Sequence, residues 1–571
     1  HYPLLLLGNV LVIICAVSDM AIIRAVKHLI DTSDWHAQPL WLLILPVTTA
    51  CVANRLSGWG QWIATFYATN KAIEKLRVVF FSRLMSLSKG FFDQHKAGWL
   101  IARNTGDITH ISQFMTFSLM MLLYFASGIS FAIIEMVNVS PVLLLPTALI
   151  VPAVAIFSIW YKRTMSIAQR RAREQNSKLV ANLSENVKGV RVVQAFSRQQ
   201  HNMGKFRELN QLNKSMEMRV SRLNALFLPS IDFLGIINTA VVVAFAVLVS
   251  RNAVPFLPRV TITTGELVAY IAYMNFVVWP IRMLVEMYSM ALAAMAAAER
   301  VFEIIDLEPD VKDAPDAKTF TISAGRIEFD EVRFRYAPDA PFIFENLNFT
   351  MPAGATIALV GETGAGKTTL ANLVSRFYDI ASGSIKIDGQ DIRSVTQESL
   401  HQSMAIVLQE GYLFSGTVMD NLKFRSTHAG DEEIIDLSRR LGTYPALAAL
   451  ASGFATRVKE GGASLSKGQR QIVSLTRALA ADPKILILDE PTSSLDIYTE
   501  RIIQQALGEL IKGRTSLIIA HRLSTIQHAD QILVIGEGGI LERGTHAELI
   551  ERNGRYAELV SKNDQVGHVG A

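Results

Sequence analysis

The feature that leaves this chain the fewest folds is a set of six long apolar windows in its N-terminal half. They run roughly over residues 4–23, 40–67, 114–137, 142–161, 223–249 and 267–292. About 20 largely apolar residues are enough to cross a bilayer as a helix. Half of the 571 residues are hydrophobic and only 19% are charged, less charge than a soluble chain of this length usually carries. The first half is therefore expected to be an all-α transmembrane domain of six long helices. The last window holds Arg282 and Glu286 and is expected to leave the bilayer near them. The sequence begins at His1 rather than Met, which leaves room for a preceding piece. No clear small-residue cleavage site follows the first apolar run, so it reads as a span and not as a signal peptide.

Basic residues orient the spans. Seven Lys and Arg lie between Lys71 and Asp107 and fourteen between Lys162 and Arg222. The connection from Asp31 to Gln38 has none, and that from Arg251 to Thr264 has two. The two basic connections, and both chain ends, are expected in the cytosol. They are also expected to be helical, since residues 165–212 have few breakers and are rich in Ala, Arg, Glu and Gln. Each would be two long helices joined by a short turn. At about 1.5 Å per residue, ~25 residues carry a helix nearly 40 Å past the membrane.

Asp19, Arg55, Glu135, Asp232, Arg282 and Glu286 fall inside the windows. Charge in hydrocarbon is costly, so each is expected to face a cavity, a partner or the interface. One reading makes them a substrate pathway; the other is internal pairing or interfacial snorkelling. Arg282 and Glu286 are four apart and can pair along one helix face. Glu135 lies near the outer end of its span and reads as interfacial. Methionines recur at Met115, Met120, Met121, Met283, Met287, Met290 and Met295. They can adapt to varied apolar ligands, but ordinary helix packing is the preferred reading. The two cysteines, Cys15 and Cys51, both sit in apolar runs and exclude a disulfide framework.

The composition changes after Ile305. Residues 306–325 are polar, contain Pro309 and Pro315, and read as a linker. Residues 326–571 alternate strand-like and helix-like runs, as an α/β domain does. Within them, residues 361–369 read Gly-Glu-Thr-Gly-Ala-Gly-Lys-Thr-Thr, the phosphate-loop pattern between a strand-like run and a helical one. Gly361, Gly364 and Gly366 let backbone N–H groups turn toward phosphate oxygens, and the helix start adds its positive end. Thr363 and Thr369 belong to the same loop. Lys367 supplies a charge for the β- and γ-phosphates, and the Thr368 hydroxyl suits Mg²⁺.

Other residues converge on the same chemistry. Tyr336 precedes the loop and could stack on adenine. Gln409 follows a strand-like run and could reach Mg²⁺ or the attacking water. Ser466, Gly468 and Gln469 open a helical run, a second anion-binding start. One domain needs only one phosphate loop per nucleotide, so this second start suggests that another subunit completes the site. Asp489 ends the apolar run 485–489 and fits a water-mediated Mg²⁺ partner; Glu490 beside it fits a general base. His521 follows the run 516–520, at the strand end where ligands bind in such sheets.

Together these motifs resemble the ATP-binding cassette exporters of the half-transporter kind, in which one six-helix membrane domain is fused to one nucleotide-binding domain. The resemblance covers nearly the whole chain, as domains 1–305 and 326–571. By it, residues 361–369 are similar to the Walker A loop, 485–489 to Walker B, and 465–469 to the signature. Tyr336 resembles the adenine-stacking aromatic, Gln409 the Q-loop, residues 494–496 the D-loop and His521 the switch histidine. Residues 91–98 and 185–196 resemble the cytosolic loops where the family forms coupling helices. The resemblance implies a dimer with two ATP sites, each completed by the partner's signature, with Mg²⁺ as cofactor. It implies ATP-driven export of hydrophobic or amphipathic drugs, lipids or peptides by alternating access. A multi-pass protein of the bacterial inner membrane, with its ATPase domain in the cytosol and no nucleic-acid partner, is expected.

One position departs from the pattern. Lys467 stands where the family's signature usually has glycine. This resembles the altered-signature subunit of a heterodimer, which is favoured over a homodimer. An importer of the same architecture, or a nucleotide-gated channel or regulator, stays open as an alternative; six spans exclude a soluble ATPase.

Overall fold

The computed structural model describes residues 2–32, 39–251, 261–409, 411–426, 428–489, 497–519 and 526–568. Internal packing divides the chain into two compact units, residues 1–85 with 97–307 and residues 86–96 with 308–571.

The first unit is helical. Its long helices are Tyr2–Asp31, Leu40–Ser86, Ala97–Val139, Leu144–Lys188, Gln199–Ser250 and Thr264–Asp306. Among the described residues, four helices are both long and apolar enough to cross a membrane: Pro3–Asp31, Ala97–Val139, Pro141–Lys188 and Gln199–Ser250. A helix such as Leu144–Lys188 has 45 residues. At about 1.5 Å per residue it is roughly twice as long as a ~30 Å hydrocarbon core requires, the length that the expected extension calls for. The third helix is interrupted by two π-turns, Arg103–Asp107 and Phe114–Ser118. Its core is small, with Met20, Ala132, Met136, Tyr270 and Met274 at the centre. Large side chains such as Leu149, Ile63 and Ile156 are turned outward instead, at 78%, 70% and 68% exposure. An outward apolar surface of this kind is what a lipid-facing domain needs.

The charges inside the windows mostly find partners. Asp19 accepts from Asn54 Nδ2 at 3.0 Å and from the Tyr124 hydroxyl at 2.6 Å. Glu135 pairs with Arg24 of the first helix, whose side chain is largely exposed. Just beyond the windows, Lys27 pairs with Glu266 at 3.1 Å. The side chains of Arg282 and Glu286 lie outside the described residues.

The second unit is built on a six-stranded sheet. In spatial order its strands are Gly539–Gly544, Gln531–Gly536, Thr356–Val360, Thr515–Ile519, Ile485–Asp489 and Met404–Val407. All neighbours are parallel except the first pair. Successive residues of one strand feed opposite cores. Ile357 and Leu359 join one cluster while Ala358 and Val360 join the other, and Ile485 and Ile487 divide from Leu486 and Leu488 in the same way. The sheet is therefore covered on both faces, which is why these strands read as unbroken apolar runs. A four-stranded antiparallel sheet, ordered Phe344–Met351, Ile327–Phe334, Ser382–Ile387 and Gln390–Asp391, shares the first cluster.

Residues 308–325 have no regular secondary structure, yet they are stitched to this unit. The fully buried Arg376 donates to Lys312 O and Val395 O, each at 2.9 Å. Asp388 accepts from the N–H groups of Ser323, Ala324, Gly325 and Arg326 at 2.8–3.0 Å. Burial alone would raise the Asp388 pKa, but these four donors pull it down to about 2.

Candidate nucleotide site

The parallel strands bring the expected residues to one edge of the sheet. Strand Thr356–Val360 runs directly into Gly361. Ile519 pairs with both Leu359 and Asp489, and Val407 pairs with Leu488, so four carboxyl ends finish side by side. Ligands in such sheets bind outside those ends. Gln409 follows its strand by two residues and is exposed.

The loop after the central strand has the geometry of a phosphate cradle. Gly366 caps helix Lys367–Val374 with φ +101°, a left-handed conformation that costs glycine little, and no side chain caps that helix. A Cβ there would lie 2.9 Å from Ile343 Cγ2. Gly361 has no room either, since a Cβ would lie 2.4 Å from Ile535 O. The first N–H groups of the helix are thus left for an anion. Lys367 is buried, and its Nζ donates to Gly361 O and Glu362 O, both at 2.8 Å, which folds the ammonium back across the loop. Glu362 is paired with Arg555. Thr363 and Gly364 are exposed and line a cavity of about 900 Å³ with Gly361.

Thr368 and Asp489 line another cavity of about 740 Å³, with Leu408 and Ile487. A hydroxyl and a carboxylate are hard oxygen donors, the set that suits Mg²⁺. Thr369 faces elsewhere: it is buried, with its Oγ1 2.9 Å from the Tyr336 hydroxyl. Tyr336 stands beside the start of that helix, 44% exposed and edge-on to Phe334 and Tyr378. Glu490, His521 and residues 494–496 lie outside the described residues.

Residues 465–469 open helix Lys467–Ala480. Ser466 is its N-cap, and a reciprocal box closes it, Gln469 N donating to Ser466 Oγ at 3.2 Å and Ser466 N to Gln469 Oε1 at 2.9 Å. Gly468 is explained by packing as much as by an anion. A Cβ there would lie 2.4 Å from Thr499 Cγ2 on helix Ile497–Ile511. Neither cavity at the phosphate loop is lined by any residue of 465–469.

Residues 5–281 match the ABC transporter transmembrane region, and residues 344–493 match the ABC transporter family. YknV of Bacillus subtilis (strain 168), named as an uncharacterized ABC transporter ATP-binding protein, is 40% identical over 488 residues, 86% of this chain and 80% of its own. The chain is an ABC transporter. A fatty acid ABC transporter ATP-binding/permease protein of Mycobacterium tuberculosis (strain CDC 1551 / Oshkosh) is 36% identical to this transporter over 509 residues, 89% of this chain and 79% of the relative. A solved bacterial Atm1-family ABC exporter with ATP bound aligns at a TM-score of 0.76 and 27% identity, covering 98% of both chains. With both regions in one polypeptide, this ABC transporter is a half-transporter with the exporter fold.

Sequence reasoning missed several residues around the site of the transporter. The short helix Lys89–Gln94 belongs to the second unit, where Tyr378 donates its hydroxyl to Asp93 and Lys89 pairs with Asp93 at 2.6 Å. Burial raises the Asp93 pKa, but the bonds from Lys89 and Tyr378 outweigh it and hold the carboxyl below its usual range. Ser88 Oγ accepts from Val311 N at 2.9 Å. The resemblance marked residues 91–98, but the partners Tyr378 and Val311 lie more than 200 positions away, so the sequence carried no signal for these contacts.

Proposed function

We propose that this chain is an ATP-driven exporter half that moves hydrophobic or amphipathic compounds by alternating access. The observation that carries the reading is the phosphate cradle, with Thr368 and Asp489 about one cavity, in the same chain as long apolar helices. Gly361, Thr363, Gly364, Gly366, Lys367 and Thr369 form the loop that holds the phosphates, and Tyr336 offers a ring to the adenine. Thr368, Asp489 and Gln409 hold Mg²⁺, which when bound neutralises charge on the β- and γ-oxygens. Glu490 takes the proton of the attacking water and His521 senses the γ-phosphate. Ser466, Gly468 and Gln469 serve the site of a second subunit. The tip between the fourth and fifth long helices supports such a partner, because Val187, Val192 and Phe196 are exposed at 64%, 60% and 75%. The named activity of the mycobacterial relative agrees with an acyl or other amphipathic cargo. The basic connections support an ATPase unit in the cytosol, and the resemblance to exporters supports export across a bacterial inner membrane.

The test is ATP-dependent accumulation in sealed inverted vesicles, with Glu490→Gln beside the parent chain. Removing a general base slows turnover by roughly 10²–10⁴-fold, so the variant should bind ATP, hydrolyse it very slowly and accumulate nothing. Near-normal hydrolysis by Glu490→Gln in its own dimer would sink the assignment of the base. ATPase without accumulation of any amphiphile would point to a regulator.

A further inference from the structure

A cavity of about 490 Å³ opens among the third, fourth and sixth long helices. Each helix lines it with residues four apart: Ser118 and Leu122, Ser158 and Lys162, Met287 and Ala291. Residues so spaced share one helix face, so three faces meet around one space of ordinary ligand-pocket size. The lining is mostly apolar, with Ser118, Ser158 and Lys162 among its polar members. Lys162 Nζ sits 3.3 Å from the centre of the Tyr288 ring. Such a contact holds the ammonium in place by attraction to the ring face and uses none of its three N–H donors. Among the described residues no carboxylate lies within ion-pair distance of Lys162.

Two further observations point to a ligand. Ser158, one turn from Lys162 on the same face, is 3% exposed, and its Oγ has no hydrogen-bond partner. A buried hydroxyl without a partner costs stability unless something satisfies it. The third helix also leaves α-geometry here, with its π-turn over Phe114–Ser118, and such turns are frequent at functional sites. Lys162 directly follows the apolar window 142–161 and is the first of the fourteen basic residues beyond it. The cation therefore stands at the edge of the apolar belt, with the apolar lining on the membrane side.

We infer that this cavity binds a single-chain amphiphile with an anionic head, a fatty-acid carboxylate in particular. The head lies against Lys162 and the Ser158 hydroxyl, and the chain lies along Leu122, Ile159 and Met287. The inference names the chemistry of the amphipathic cargo proposed above, and binding itself needs no ATP turnover.

The test is equilibrium binding to the full chain in neutral detergent without ATP, using radiolabelled palmitate, hexadecyl phosphate, hexadecanol and a two-chain phosphatidylglycerol. Palmitate should bind more tightly than hexadecanol by about 10- to 100-fold, the worth of charged hydrogen bonds. Hexadecyl phosphate should bind likewise if the head pocket reads charge alone, and more weakly if it reads the carboxylate shape. Lys162→Gln should abolish the preference over the alcohol, and Leu122→Trp, which fills the cavity, should remove binding of every single-chain probe. ATP binding by both variants checks their folding. Equal binding of palmitate and hexadecanol, binding unchanged in both variants, or tighter binding of phosphatidylglycerol would each overturn the inference. Failure of the transport reading appears separately, as vesicles that do not accumulate cargo while palmitate still binds.

Discussion

At the scale of single residues, Asp388 makes the most readable contribution. Its carboxylate accepts four successive backbone N–H groups, and its pKa falls from the usual 3.8 to about 2. A depressed carboxyl stabilises the fold above its unfolded pKa, and that contribution is lost as pH falls from about 3.8 through about 2. Discounted for solvent screening, the charge contributes on the order of 1 kcal/mol. Asp388→Asn keeps the shape and tolerates the residue's φ of +50°. It should lower the melting temperature of the second unit by about 2–4 °C near neutral pH, with the difference from the parent closing toward pH 2. A difference that stays constant down to that pH would show that the charge is not its source. The backbone shape of the phosphate loop was legible in the sequence, because its glycines act through local conformation. Asp388 was not, because its four donors lie over 60 positions away and nothing in the local sequence marks them.

At the scale of elements, two contacts invite measurement. Helix Lys89–Gln94 meets its unit through Asp93 and Tyr378, and Tyr378 lies edge-on to Tyr336 with ring centres 5.0 Å apart. Tyr336 reaches Thr369 in turn, so a continuous run of contacts joins that helix to the phosphate loop. Tyr378→Phe removes only the hydroxyl. Basal ATPase should stay within about twofold, while stimulation by cargo should fall several-fold, a loss of the order of one charged hydrogen bond. Stimulation that survives both Tyr378→Phe and deletion of residues 94–96 would remove this helix from the coupling route. The second contact is between the helices that start at Lys467 and Ile497. Gly468→Ala would press a methyl onto Thr499 Cγ2, costing about 1–3 kcal/mol by overpacking. Thr499→Ser deletes that methyl and keeps the hydroxyl, so the double variant should regain most of the lost stability in a thermal melt. If it does not, the glycine is held by something other than this contact. Helix lengths followed from apolar runs and few breakers. The π-turns of the third helix did not, since they shift hydrogen bonding by one residue without changing composition.

At the scale of the whole molecule, the open question is the partner. Lys467 stands at the first turn of a helix whose start would face another chain's phosphate. A lysine there adds bulk and charge that the usual glycine lacks. Tighter binding of ATP is not the same as a better-stabilised transition state. The chain is therefore expected to pair with a related subunit, its own phosphate loop working with the partner's signature while Lys467 covers a slower site. Expressed alone, it should run as a monomer or a weak, poorly active dimer when its mass and ATPase are measured. A stable, active homodimer whose turnover is unchanged by Lys467→Gly would overturn this. Membrane and ATPase halves were both legible in outline, because apolar length and the phosphate loop each need no tertiary knowledge. Subunit pairing was not, because it depends on surfaces whose complement is another sequence.

The box that closes the helix at Lys467 has a bearing on how such a protein can diversify. Ser466 and Gln469 satisfy each other's backbone N–H groups without calling on the side chains of the two residues between them. Position 467 can accordingly change charge or size while the cap stays made, whereas position 468 is held small by Thr499. If this helix start meets a second subunit, as proposed, position 467 is where it can vary in charge or size with the cap still made. A saturation library at that codon, selected for turnover with each candidate partner and checked for folding by thermal melt, would read out what the facing site demands.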